Sequence, residues 1–267
     1  MDRCATSGIC TQWPTPDLQR PLRVDIPEEV FAGRPHRVSM GLRPLDLTTW
    51  LDVDSQHPQR VLREELLVQR RDDVFAVAPG GEAAATAVAQ AVATWCGRRL
   101  PGRDHPLVEA ATLVREDLCV LQRLEAAWRL VAAVVCFPSR WLLADKMGQD
   151  VVSIHDPVPG YRQQLGTPTG RVFDTLSPRW RMNWTLLDDP ALFQPRMATT
   201  PSAPPDESWY LRVERQCLVP VADYVAFTIR TDVVALADLG APERTAVLRS
   251  AASAPVDLAT YRGWVSR

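Results

Sequence analysis

Few residues in this chain are suited to chemistry, and the histidines narrow the choice first. There are four, His36, His57, His105 and His155. The first three adjoin proline or sit among charges, and read as surface-loop residues. His155 closes the apolar segment Val151-Val152-Ser153-Ile154 and precedes a stiff turn, Asp156-Pro157-Val158-Pro159-Gly160-Tyr161. A helix end that delivers one imidazole into an apolar space suits an axial ligand of a haem iron, which needs a neutral ring held in one orientation. The same placement serves a histidine that caps its own helix C-terminus through the macrodipole. Spacing alone does not separate the two.

A second cluster lies in Leu211-Arg212-Val213-Glu214-Arg215-Gln216, where charges interrupt a strand-like run. Period-two alternation puts Arg215 with Leu211 and Val213 on one face, and Glu214 with Arg212 and Gln216 on the other. Phe227-Thr228-Ile229-Arg230-Thr231 brings Arg230 into a neighbouring strand. Buried, such charges are costly unless they pair or meet a ligand. The segment therefore reads either as a solvated face with cross-strand ion pairs or as a carboxylate for an amine, flanked by guanidinium groups. A third stretch, Arg179-Trp180-Arg181-Met182-Asn183-Trp184, reads as amphipathic packing beside the carboxylates of a cofactor. Asp188-Asp189 before Pro190 reads as a turn and helix cap. Standard hydrolase signatures are missing: there is no Gly-x-Ser-x-Gly and no His-Glu-x-x-His. Cys136 ends an apolar strand and reads as an inert thiol rather than a nucleophile.

The elements that must position these groups follow from composition and pattern. The chain has 267 residues, 46% hydrophobic and 23% charged, so it can bury a large core. Lys+Arg 30 against Asp+Glu 32 gives a formal charge of -2, which argues against nucleic acid as partner. No apolar run approaches the roughly 20 residues that cross a bilayer, and the first residues carry no basic and apolar leader. The expectation is a cytoplasmic protein with no membrane partner. Its six cysteines (Cys4, Cys10, Cys96, Cys119, Cys136, Cys217) include no Cys-x-x-Cys pair and are expected to be reduced structural thiols. Residues 1–35 read as an irregular lead-in and 36–110 as a mostly helical extension, with helices over Thr48 to Phe75 and Glu82 to Cys96. Residues 111–267 read as a sheet domain with a C-terminal helix. Its strands are expected at Asp117 to Arg123, Trp128 to Phe137, Trp209 to Leu218 and Tyr224 to Val234. Helices are expected at Trp141 to Met147, at Val151 to His155 with Asp150 as cap, and at Pro242 to Ala252. Pro-rich loops fill the rest. The fold class is α+β.

Six stretches in order resemble one family. Met40-Gly41-Leu42-Arg43-Pro44-Leu45-Asp46, Arg115-Glu116-Asp117-Leu118-Cys119 and Val135-Cys136-Phe137-Pro138-Ser139-Arg140-Trp141 come first. Ile154-His155-Asp156-Pro157-Val158-Pro159-Gly160-Tyr161, Asn183-Trp184 and Leu211-Arg212-Val213-Glu214-Arg215-Gln216 follow. Together they are similar to the haem-dependent oxidative N-demethylase α-subunit family, over residues 40 to 235. The resemblance implies a PAS-like antiparallel sheet with haem-binding helices and a helical N-terminal extension. It implies haem b, O2 as co-substrate, oxidation of a small secondary amine, and electrons from a flavin and iron–sulfur reductase protein. His155 corresponds to the proximal iron ligand. Glu214, Tyr161 and Arg230 correspond to catalytic positions, and Arg215 and Trp184 to cofactor-binding ones. In Thr231-Asp232-Val233-Val234 an acid stands where the resemblance leads one to expect an aromatic. N-hydroxylation of an amino acid or guanidine is the neighbouring reading, and a haem-based gas or redox sensor is the reading from another class.

Overall fold

The computed structural model describes residues 39–53, 57–174, 177–196 and 204–264. The expected lead-in over 1–35, with Cys4 and Cys10, and His36 after it, lie outside the described residues. Strands β1 (Arg43–Pro44), β2 (Phe75–Val77), β3 (Asp117–Leu124), β4 (Ala127–Val134), β5 (Arg179–Leu187), β6 (Tyr210–Val221) and β7 (Tyr224–Ala235) form one antiparallel sheet. Their order is β1-β5-β6-β7-β3-β4-β2. Helices α1 (Gln59–Gln69), α2 (Arg71–Val74), α3 (Glu82–Trp95), α4 (Pro106–Ala111), α5 (Val151–Ile154), α6 (Tyr161–Asp174), α7 (Ala241–Ala252) and α8 (Val256–Arg262) complete an α+β fold. None is long and apolar enough to cross a membrane.

Alternation along the central strands divides the interior. Leu118 and Val120 of β3 face a core built with Leu66, Val88, Val92 and Leu107 of the N-terminal helices. Cys119 and Leu121 face the other way, into a cluster with Leu130, Leu143 and Phe173 beneath α5 and α6. A smaller cluster, with Leu186, Leu211, Val247 and Trp264, seats α7 and α8 on β5 and β6. The N-terminal third also supplies both sheet edges, since β1 pairs with β5 and β2 with β4.

The long helix expected over Thr48 to Phe75 is broken. Pro58 disfavours helix in the residue before it, so α1 starts at Gln59. Arg70 leaves the helical region with φ −132°, and Phe75–Val77 turns into an edge strand on β4. Trp141 to Met147 makes one turn rather than a helix. Gly148, at φ +75°, then returns the chain to β4, where its N–H bonds the Leu130 carbonyl at 2.8 Å. Strand β5, α6 and α8 had no counterpart in the sequence reading. Gly166, Pro168 and Gly170 disguise α6 as loop, because each is a poor helix former. No helix follows Asp188-Asp189; instead Asp189 closes a turn by accepting the Ala191 N–H at 2.8 Å.

Candidate functional site

Between one sheet face and the α5–α6 cover lies a cavity of about 710 Å³. That is within the roughly 300–1,000 Å³ of small-molecule and cofactor pockets. Its floor is set by register. Glu214, Gln216 and Leu218 alternate inward along β6, opposite Asn183 and Arg181 of β5 and opposite Ile229 and Phe227 of β7. Leu121 and Leu130 continue the apolar part.

His155 lines this cavity from the C-cap of α5. Asp150 begins that helix by accepting the Val152 and Ser153 N–H groups, each at 3.0 Å. The His155 Nδ1 lies 2.7 Å from the Val151 carbonyl oxygen. A carbonyl only accepts, so Nδ1 carries the proton and Nε2 of the neutral ring keeps its lone pair. Burial lowers the ring's proton affinity below the usual histidine range, and the positive charges of Arg181 and Lys146 act in the same direction. Tyr161, at the start of α6, stacks on the imidazole with centroids 4.4 Å apart and planes 11° from parallel. Its hydroxyl is tied to Thr169 Oγ1 at 3.0 Å. The imidazole is therefore neutral, oriented and open at Nε2. The Nδ1–H bond also caps the helix C-terminus by meeting the Val151 carbonyl, while Nε2 has no partner among the described residues.

Glu214 faces the same space. Its Oε2 accepts from Gln216 Nε2 at 2.9 Å and Asn183 Nδ2 at 3.3 Å, and its Oε1 from Arg212 Nε at 3.4 Å. Arg212 is fully buried and anchors this group to two loops, through the carbonyls of Phe137 and Leu192. Of the residues expected at the site, His155, Tyr161 and Glu214 are thus brought together.

Arg215 and Arg230 are not. Both sit on the opposite sheet face, directly across from each other. Arg215 donates to the carbonyls of Trp50 at 3.0 Å and Thr49 at 2.8 Å. Arg230 lies beside Asp232 and Asp52, at 3.4 and 3.9 Å. Pleat alternation from Glu214 sends Arg215 away from the cavity, and Arg230 is its cross-strand neighbour. Asp232, the unexpected acid, also points there, and Arg115 holds it at 2.7 Å. The departure at Asp232 leaves the cavity wall unchanged. Trp184 borders the cavity, with its ring stacked on Trp264 at 5.9 Å and 21°.

Three further cavity arginines are Arg140, Arg181 and Arg262. The first lies in a family motif, the second in the stretch expected beside a cofactor's carboxylates, and the third outside every stretch the sequence singles out. Each has a buried N–H with no acceptor among the described residues, at Nη1 of Arg140 and at Nε of the other two. The signal for Arg181 was available in the Arg-Trp-Arg-Met-Asn-Trp alternation, a strand pattern. Nothing local marks Arg262. His105 instead caps α4, with Nδ1 accepting the Leu107 N–H at 3.1 Å, and His57 Nδ1 accepts that of Gln59 at 3.3 Å. Burial pushes the Cys136 thiol up to about 12, so it is no nucleophile at neutral pH.

Among the described residues no group of three or more His, Cys, Asp or Glu is arranged to hold a metal ion. One open imidazole instead matches a metal that arrives with most of its ligands, as a porphyrin iron does. The apolar walls and the buried N–H groups of Arg140 and Arg181 that lack an acceptor fit the ring and carboxylates of such a cofactor. A family model described as haem-dependent oxidative N-demethylase, alpha subunit-like, matches residues 96–266. No curated protein matches the chain.

Proposed function

We propose that this chain, which belongs to the haem-dependent oxidative N-demethylase, alpha subunit-like family, binds haem b through His155 and oxidises a small secondary amine with O2. The observation that carries the reading is the neutral His155, with Nδ1–H fixed on Val151 and Nε2 open in a cavity of about 710 Å³. A sheet covered on one face by the α5–α6 insert, with the cavity between them, supports the PAS-like description. Arg181, whose charge bears on His155, is the partner assigned to a haem carboxylate.

Bound haem would supply O2 activation, with an electron pair from a partner subunit of the kind the alpha-subunit description implies, which we propose to be a flavin and iron–sulfur reductase. Overall, the methylated amine, O2, an electron pair and two protons yield the demethylated amine, formaldehyde and water. The protein's own part is positional. Glu214 binds the alkylammonium and accepts an N–H proton on Oε1 or Oε2. Asn183, Gln216 and Arg212 fix its carboxylate plane. Tyr161 keeps the imidazole from turning, and the leucine-rich walls exclude water.

The test is haem loading of the purified chain and of His155→Ala, by absorption before and after reduction under CO. The parent should show a Soret band that shifts with CO. The variant should lose haem or change its ligation. Unchanged haem content and spectrum in His155→Ala would refute the assignment, and a parent that takes up no haem would sink the reading as a whole.

A further inference from the structure

The polar end of the cavity carries more positive than negative charge. Arg43, Arg140, Lys146, Arg181 and Arg262 line the cavity against a single acid, Glu214. Arg140 already meets Asp188, and Arg181 is assigned above to the cofactor. Arg262, in the last turn of α8, has no such partner. Its Nη1 donates to the Trp184 carbonyl at 2.6 Å, its Nε is buried without an acceptor, and it makes no ion pair among the described residues. Burial, only partly offset by Tyr261 and Glu214, pushes its guanidinium down to about 10. Glu214 acts on it only at longer range, with no ion pair between the two among the described residues. A half-buried cation with one buried N–H unmet, and the Trp264 ring beside it at 5.2 Å, gains from a ligand that brings a counter-charge.

We propose that Arg262 is an anion subsite for the substrate, so that the cavity selects a small amine that also carries a carboxylate. The ammonium end of such an ampholyte meets Glu214, and its carboxylate meets the guanidinium of Arg262 with the Tyr261 side chain alongside. A guanidinium offers a planar fork of donors that a carboxylate accepts in pairs. A simple alkylammonium, by contrast, enters a field dominated by its own sign. This inference rests on the reading of the cavity as the substrate site.

The test compares two secondary amines that differ by one carboxylate, N-methylglycine and dimethylamine, titrated calorimetrically into the chain with and without haem. N-methylglycine should bind at least about tenfold more tightly, the worth of one charged hydrogen-bonded contact. Arg262→Gln should abolish that preference, with N-methylglycine weakened, dimethylamine bound as tightly as in the parent or more so, and haem content and the Soret band unchanged. Arg262→Lys, which keeps the charge, should retain part of it. Equal affinities in the parent, or no binding of either amine, would overturn the inference. So would loss of haem in Arg262→Gln, which would mark Arg262 as a partner of the haem carboxylates. If the parent binds no haem yet prefers N-methylglycine, the anion subsite stands and the oxidase reading fails. If it binds haem and oxidises both amines alike, the reverse holds.

Discussion

The imidazole of His155 and the carboxylate of Glu214 face one cavity, and each is held in place by its neighbours. For His155 the carbonyl of Val151 accepts a hydrogen bond from Nδ1–H, and burial with two nearby cations keeps the second nitrogen unprotonated. For Glu214, three donors set the plane of the carboxylate while the side chain still faces the cavity. Glu214→Gln keeps the size and one acceptor but removes the charge that binds an alkylammonium and takes its proton. The expected outcome is unchanged haem content with amine-dependent O2 consumption reduced by about 100-fold or more. Survival of parental turnover would make Glu214 a structural residue.

At the scale of elements, one short helix and one strand do most of the positioning. Helix α5 has a single turn, too short to persist by propensity, so its cap matters. Asp150 bonds the N–H groups of Val152 and Ser153 and the Ser153 hydroxyl, at 3.0, 3.0 and 2.6 Å. Asp150→Ala should cost about 1 kcal/mol of local helix stability. Through the loosened His155, haem should bind about fivefold more weakly. Haem titration of the variant checks this, and parental affinity would mean that Tyr161 stacking alone orients the ring. Strand β6 carries the other lesson. Its alternation puts Glu214 in the cavity and Arg215, the next residue, on the carbonyls of Trp50 and Thr49. Two residues adjacent in one motif thus serve different halves of the molecule.

Across the whole molecule, the sheet stands between the cavity and the N-terminal helices, and buried charges fasten the two sides. Arg63 of α1 pairs with Asp117 of β3 at 2.9 Å, both 1% exposed at the side chain. Asp117 also accepts the Cys136 and Phe137 N–H groups, each at 2.9 Å, just where the chain enters the cavity wall. Nearby, Arg115 bridges Asp52 and Asp232, and burial pushes the Glu116 carboxyl up to about 7. The Arg115-Glu116-Asp117 motif is therefore a joint between layers rather than part of the site. Arg63→Met should strand Asp117 as a buried, unpaired acid and cost about 3–5 kcal/mol. For a chain of this size that lowers the thermal midpoint by roughly 10 °C. Calorimetric melting tests it, and a shift of a degree or less would show that the backbone N–H groups alone satisfy Asp117.

By itself the sequence determined the central hairpins, α3, the Asp150-capped α5 and the position of His155, because period-two patterning, caps and proline restrictions are local. The same locality made the family motifs recognisable, and it made Tyr161 and Glu214 candidates. The structure alone decided which residues share the cavity. Local patterning predicts that Glu214 and Arg215 face opposite ways, but it does not say which face meets a ligand. Only the packing of α1 to α4 against one face and α5 to α6 against the other settles that. Strand β5 and α6 were hidden for related reasons. Charged alternation on a half-buried strand resembles surface, and glycine with proline inside a helix resembles loop until tertiary contacts offset their poor propensity. Arg262 enters the cavity from the far end of the chain, at the last turn of a helix that packs against β5 and β6. No local spacing encodes a meeting of that kind; the fold brings it about.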